Sequence, residues 1–383
     1  MSDVISSLAG IAEGSALAAL RAERPESRDH AQGSYLALFS PKESTGLSGM
    51  ERYAVALRVA SRHASREGVA HYKAGLVKNG ASPEIVVAAG NVLGGDTSLS
   101  TRLAALLAHT DLLSTHPVDT TTASHQALSD AGLSTAEILT LSQIVAFLSF
   151  QLRVIAALQV MGGGSGEAEP VIGPTESGNG KGAANIIIPE EPLNRPKVFT
   201  RDQLSWTPWL EPLNPEDATP SQAEALAGRP GNSPYFRLLA LDADVLTERT
   251  KTDLGIFYTH GGAPRAEREL AAAVTSRWNG CIFCASVHAR TAANLSKREA
   301  DVDRVLNYGV GAGIDLELDD RWSAVVDLAL QIARTPSTVT TAHVERLRSL
   351  GLADLEILDI AQSAAFFSWA NRLMLTIGEP FYA

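Results

Sequence analysis

Cysteine is nearly absent: the 383 residues contain two, Cys281 and Cys284. Two thiols do not make a disulfide framework, and a close pair in a reducing compartment reads as redox-active or metal-binding rather than as a staple. Basic charge is also short. With 43 acidic against 32 basic side chains the formal charge is −11, which opposes non-specific attraction to nucleic acid or to anionic membrane surfaces. No run comes near the roughly 18 apolar residues of a membrane span. The start "MSDVISSLAGIAEGSALAALRAERP" has neither the basic lead nor the unbroken apolar stretch of a secretory signal. These shortages lead to the expectation of a cytoplasmic protein with no nucleic-acid or membrane partner, working on a small molecule or another protein.

Alternating β-branched runs are scarce, whereas Ala/Leu/Glu/Arg segments with helical spacing recur throughout, so the chain reads as all-α. Its length is too great for one compact core and suits two domains. Residues 132–153, "GLSTAEILTLSQIVAFLSFQLR", and 351–372, "GLADLEILDIAQSAAFFSWANR", are identical at ten of twenty-two positions without a gap. The same offset of 219 pairs Arg102 with Arg321 and Pro117 with Pro336. That is internal duplication. A Gly/Pro/Ser/Glu-rich linker is expected over 161–197, separating a first domain over 1–160 from a second over 198–383. In the second half helices are expected over "APRAERELAAAVTSRW", "CIFCASVHARTAANL", "DDRWSAVVDLALQIARTP" and the long C-terminal "DLEILDIAQSAAFFSWANRLMLTIG".

Within "WNGCIFCASVHARTA", residues 278–292, Asn279 and Gly280 precede Cys281, which puts the thiols in the first turns of a helix. Unpaired backbone N–H groups there favour a thiolate. Cys281 and Cys284 are i,i+3 neighbours, and His288 stands i+4 from Cys284, beside the second thiol. By spacing alone the pair is a redox couple, a metal site or packing. Zinc is the weaker chemistry because a structural site takes four ligands and no other cysteine exists. Neither metal nor cofactor is expected. Glu269, on the preceding helix, is placed by local sequence to pair with Arg265 at i,i+4.

Glu269, eleven intervening residues, Cys281-x-x-Cys284, three more residues and His288 together resemble the alkylhydroperoxidase D (AhpD) signature of the carboxymuconolactone decarboxylase-like superfamily. The resemblance covers the second half and, more weakly, the first, so the chain resembles a fused tandem of such domains. It implies tandem helical bundles, self-association through helices, and reduction of hydrogen peroxide or an organic hydroperoxide by the dithiol, with an external dithiol or protein reductant. By the same resemblance Cys284 attacks the peroxide, Cys281 resolves, and His288 and Glu269 belong to the proton relay. The chain departs from the AhpD pattern at Phe283, where the prototype has histidine, and a shorter relay is implied. The expected assembly is a homo-oligomer, first a trimer imitating six domains, second a dimer.

The first half has no cysteine. Aligned on the motif, "MERYAVALRVASRHASREGVAHYKAGL" keeps Glu51 and His71, with Arg58, Arg62, His63 and Arg66 forming a basic cluster. It reads as a degenerate half that completes the bundle, or as a second site with a Glu/His acid–base task. Two other functions stay open: decarboxylation or isomerisation of a small acid, and a redox-sensing scaffold.

Overall fold

The computed structural model describes residues 3–42, 46–91, 99–162, 183–228, 233–311 and 315–383; most of the expected linker, 163–182, lies outside them. The chain is all-α. Two short helices, α1 (Val4–Leu8) and α2 (Ala16–Ala22), lead into α3 (Pro25–Phe39), α4 (Gly49–Arg62), α5 (Arg66–Lys78), α6 (Pro83–Gly90), α7 (Thr101–Thr115), α8 (Thr122–Asp130) and α9 (Thr135–Gly162). A two-stranded antiparallel sheet joins β1 (Ser205–Pro208) to β2 (Gly378–Phe381). Between them run α10 (Pro220–Leu226), α11 (Pro234–Leu239), α12 (Ala243–Phe257), α13 (Arg265–Trp278), α14 (Ile282–Ser296), α15 (Glu299–Tyr308), α16 (Asp320–Ala333), α17 (Thr341–Ser349) and α18 (Asp354–Thr376).

The seven helices α3–α9 recur in order as α12–α18. From α7 onward equivalent helix starts lie 219 residues apart, but from α4 to α6 they lie 216 apart. That change of register decides which residues correspond at the candidate site. The duplication extends to ion pairs. Arg102 donates to Glu51 and Glu137, each at 2.6 Å, and its counterpart Arg321 donates to Glu267 at 2.6 Å and Glu356 at 2.8 Å. The carboxylates also start helices: Glu51 closes a capping box with Ser48, and Glu137 does so with Ser134. One arginine in each half thereby ties together two helix N-termini.

The halves pack as a pseudo-dimer within one chain, α9 on α18 and α3 on α12. Phe147, Phe150, Phe366 and Trp369 interlock where α9 and α18 meet, with Phe150 stacked on Trp369 at 5.7 Å and Phe147 edge-on to it at 5.2 Å. Such pairs contribute about 0.5–1.5 kcal/mol each beyond their buried area. The buried Arg153 on α9 donates to the carbonyls of Ala333 and Arg334, at the C-terminus of α16. Its counterpart Arg372 donates to Ser114 O, at the C-terminus of α7. Each cation thus sits at the negative end of a helix in the other half.

By length and apolar composition α9 would suffice to cross a membrane, contrary to the sequence expectation that no run approaches a span. It is hydrophobic all round because protein surrounds it: Ile138 through Ile155 are buried. The described end of the expected linker is packed chain rather than a bare tether. Ala184 N–H donates to Ser129 Oγ, and Ile186 bridges to Leu210.

Candidate active site

The dithiol is placed by how α13 ends. Asn279 is its C-cap and Gly280 follows with φ +81°, while Cys281 N–H reaches back to Ser276 O at 2.9 Å. This is the 6→1 bond of a Schellman motif, whose left-handed residue is best supplied by glycine. A Cβ at position 280 would also stand 2.8 Å from Val118 Cγ2. The turn hands the chain directly to α14. Cys281 becomes its N-cap, with extended backbone, and Cys284 its third residue.

Both cysteines are free thiols and both are buried, Cys281 at 1% exposure and Cys284 at 5%. Cys281 Sγ donates to Cys284 Sγ across 3.0 Å. Burial, with the Cys284 sulfur alongside, pushes the Cys281 thiol well above the ordinary thiol range; the Cys284 N–H and the Asn371 amide pull the other way without overcoming it. Cys281 therefore keeps its proton and points it at its partner. Asn371 is held for this by Asn279, which donates to its Oδ1 at 3.0 Å, while its own amide donates to Ser276 Oγ at 3.0 Å.

Sequence reasoning left Glu269 between pairing with Arg265 and standing with His288; in the structure it bonds both. Its Oε1 accepts from Arg265 Nε at 2.6 Å and its Oε2 from His288 Nδ1 at 2.5 Å. Burial pushes its carboxyl up, but His288 first and then Arg265 outweigh this and hold it below the usual carboxylate range. With an ionised Glu269 accepting from Nδ1–H, Nε2 is the nitrogen that can accept a proton when the ring is neutral. Phe367 meets the ring edge-on at 4.0 Å, locking its orientation. Neither ring nitrogen bonds a sulfur. All four residues singled out from the sequence thus lie on two adjacent helices, α13 and α14, as one cluster.

The first half does not repeat the site. Under the 216-residue register Glu51 corresponds to Glu267, not Glu269, and both are engaged by their arginines. The true counterparts of Glu269, Cys281, Cys284 and His288 are Tyr53, Ser65, Gly68 and Tyr72. Ser65 Oγ accepts from Gly68 N–H at 3.2 Å, an N-cap without sulfur chemistry. Tyr53 and Tyr72 belong to a buried aromatic cluster with Tyr35 and Phe39. His71 bonds Tyr35 Oη at 2.8 Å rather than facing Glu51. Of the basic cluster, Arg62 pairs with Asp111 at 2.6 Å, and His63 is buried beside Arg153. Glu51 and His71 therefore do not form an acid–base pair.

Sequence reasoning missed Asn371, which reaches Cys281 from α18, and Phe367, which packs on His288 from the same helix. The one available signal was that they lie a helical turn apart in the duplicated C-terminal helix.

Residues 243–314, which contain Glu269, Cys281, Cys284 and His288, match the carboxymuconolactone decarboxylase family. No curated protein matches the chain. Among solved structures, the chain is similar to an uncharacterised peroxidase-related protein from Silicibacter sp. TM1040, with 29% identity and a TM-score of 0.31, over 36% of this chain and 69% of that one. It is likewise similar to an alkylhydroperoxidase AhpD core, an uncharacterised peroxidase-related protein from Ralstonia eutropha JMP134, with 29% identity and a TM-score of 0.35, over 43% of this chain and 84% of that one.

Proposed function

From a chain whose residues 243–314 match the carboxymuconolactone decarboxylase family, we propose that the second half reduces hydroperoxides through Cys281 and Cys284. The observation that carries this reading is the 3.0 Å sulfur–sulfur contact with Cys281 as donor, next to a Glu269–His288 pair on the same two helices. Cys284, the less deeply buried of the two residues, attacks the terminal peroxide oxygen: an S–O bond forms, the O–O bond breaks, and the thiol proton ends on the departing oxygen to give an alcohol or water. Cys281 then attacks the sulfenic sulfur, forming the disulfide and releasing water. An external dithiol or protein reductant restores both thiols by exchange. His288 Nε2 is the base available to move the thiol proton, and Glu269 keeps the ring in that tautomer.

The test is peroxide consumption with dithiothreitol or dihydrolipoamide as reductant. Cys284→Ser is expected to lose consumption entirely. Cys281→Ser is expected to retain one turnover and lose the rest. Undiminished activity in Cys284→Ser would sink the reading, and sustained turnover in Cys281→Ser would remove the resolving role.

A further inference from the structure

The connection between α12 and α13 carries a side chain of the site at each end. Phe257, the last residue of α12, stands 5.8 Å from the His288 ring and 5.6 Å from Phe367. Arg265, the first residue of α13, holds Glu269, and its guanidinium lies 4.0 Å from the centre of the Tyr258 ring. Where this connection lies therefore sets both the carboxylate and the aromatic wall of the imidazole. Gly261 and Gly262 within it adopt φ +69° and +67°, so local sequence does little to hold its path. A buried ion cluster does. Asp359 on α18 accepts from Ala263 N–H and from Arg268 Nη2, each at 3.0 Å, and Arg268 also donates to Ile256 O at 3.1 Å and Gly261 O at 2.6 Å. The remaining donor comes from the first half. Arg24, the N-cap of α3, donates through Nε to Asp359 Oδ1 at 2.7 Å and through Nη2 to Asp359 Oδ2 at 2.9 Å and Gly261 O at 3.1 Å. Arg24, Asp359 and Arg268 are all buried. A Cβ at position 262 would stand 2.0 Å from Asp359 Oδ2 and 2.4 Å from Arg24 Nη2, so the connection lies directly against the pair. In α9 the counterpart of Asp359 is Thr140, so the carboxylate on which the cluster is built stands only on the side that bears the dithiol.

We propose that Arg24 is a positioning residue for the dithiol reaction: from the first half it pins the connection between α12 and α13, and through Arg265 that pin sets the Glu269–His288 pair. The proposal rests on hydroperoxide reduction at the dithiol. The path is continuous. Arg24 binds Asp359 and Gly261 O, and Asp359 binds Ala263 N–H. Pro264 follows as the N-cap of α13, then Arg265, which donates to Glu269 at 2.6 Å, and Glu269 meets His288 at 2.5 Å. Arg24 touches no reacting atom. It acts by holding geometry, on which proton transfer between fixed groups depends steeply. Arginine suits the task because its planar fork serves two carboxylate oxygens and a carbonyl at once. The cysteine-free half thereby takes part in a reaction it cannot itself perform. Arg24 and Asp359 both lie outside the segment matching the family.

The test is a double-mutant cycle on the full-length protein with Arg24→Lys and Glu269→Gln, read as turnover of cumene hydroperoxide with dithiothreitol. Lysine keeps the buried charge and removes the fork; the denaturant midpoint checks that the variant folds, and Arg24→Met, which keeps the aliphatic stem, serves in its place if it does not. Arg24→Lys is expected to lower kcat about 10-fold with KM little changed. In the Glu269→Gln background it is expected to cost less than about 2-fold, because the path runs through that carboxylate. Equal losses in the two backgrounds would mean that Arg24 only supports the fold, and undiminished turnover in Arg24→Lys would overturn the proposal while leaving dithiol chemistry standing. A second readout needs no activity. In spectra of isotope-labelled histidine, the His288 Nδ1–H resonance, identified by its loss in His288→Gln, is expected to move in Arg24→Lys in the direction in which Glu269→Gln moves it. An unmoved resonance would overturn the positioning role. If the unsubstituted protein consumes no peroxide, the hydroperoxide reading fails, and this spectrum still decides whether Arg24 positions the pair.

Discussion

Glu269 carries two bonds that compete for nothing, since each oxygen serves one partner: Arg265 on one side, His288 on the other. Arg265 anchors the carboxylate from its own helix, and the carboxylate fixes the imidazole on the next. Glu269→Gln keeps the shape and removes the charge. Proton-transfer groups of this type typically contribute 10²–10⁴-fold, so turnover with peroxide is expected to fall by about 10²-fold while iodoacetamide still reaches Cys284. Unchanged turnover in Glu269→Gln would show that the pair is structural. Glu269→Asp, one methylene short of the ring, is not expected to restore the rate.

At the level of elements, the dithiol depends on one tight connection between α13 and α14. The left-handed backbone at Gly280 costs a residue with a Cβ about 1–2 kcal/mol, and the Val118 side chain from the other half adds a contact that must give way. Gly280→Ala is expected to destabilise the protein by about 1–3 kcal/mol and to lower turnover, because Cys281 is the next residue and shifts with the turn. Denaturant midpoints and peroxide turnover check both parts; wild-type values for both would show that the turn does not position the thiol. The equivalent helices of the first half show how such a site closes. Tyr53 occupies the position of Glu269, with its ring over Gly75, where a Cβ would come within 2.1 Å of it. Leu152 stands where Asn371 stands in the second half. Aromatic and aliphatic packing thus fills, in the first half, positions that carry Glu269 and Asn371 in the second, on helices in equivalent places.

Across the whole molecule, three buried histidines tie stability to pH. Burial pushes His109 down to about 3 and His125 to about 4, with Thr376 O partly holding His125 up. Burial, then Arg153 and Arg372, keep His63 well below its ordinary value. In the unfolded chain these rings protonate near pH 6.5, whereas in the fold they stay neutral. Their stabilisation is therefore complete above pH 6.5 and declines as the pH falls toward the folded values, by up to about 1.4 kcal/mol per pH unit for each ring. Asp242 works the other way: burial pushes it up to about 6, so protonation below that pH favours the fold. One group against three leaves a net loss. The denaturant midpoint is expected to be lower at pH 5 than at pH 7.5, with a shallower dependence in His109→Gln. A flat profile would mean that these rings are solvated.

The sequence by itself determined the helical class, the duplication and the dithiol on one helical face, because each is written in residues one to four positions apart or in a repeated pattern. Glu269 stood out only through the resemblance of its spacing from Cys281 to the AhpD signature; local sequence alone gave it to Arg265. The sequence did not determine the register of the first half: the shift from 219 to 216 falls in a connection with no periodic pattern, so Glu51 took the place of Tyr53 in the alignment. Nor did it reveal the partners of the site. Glu269 and His288 are 19 residues apart, Asn279 and Asn371 are 92 apart, and Arg153 reaches carbonyls 180 residues away. Such contacts follow from which helix faces pack together. That choice is made by the summed burial of the whole core, which no local pattern of residues records.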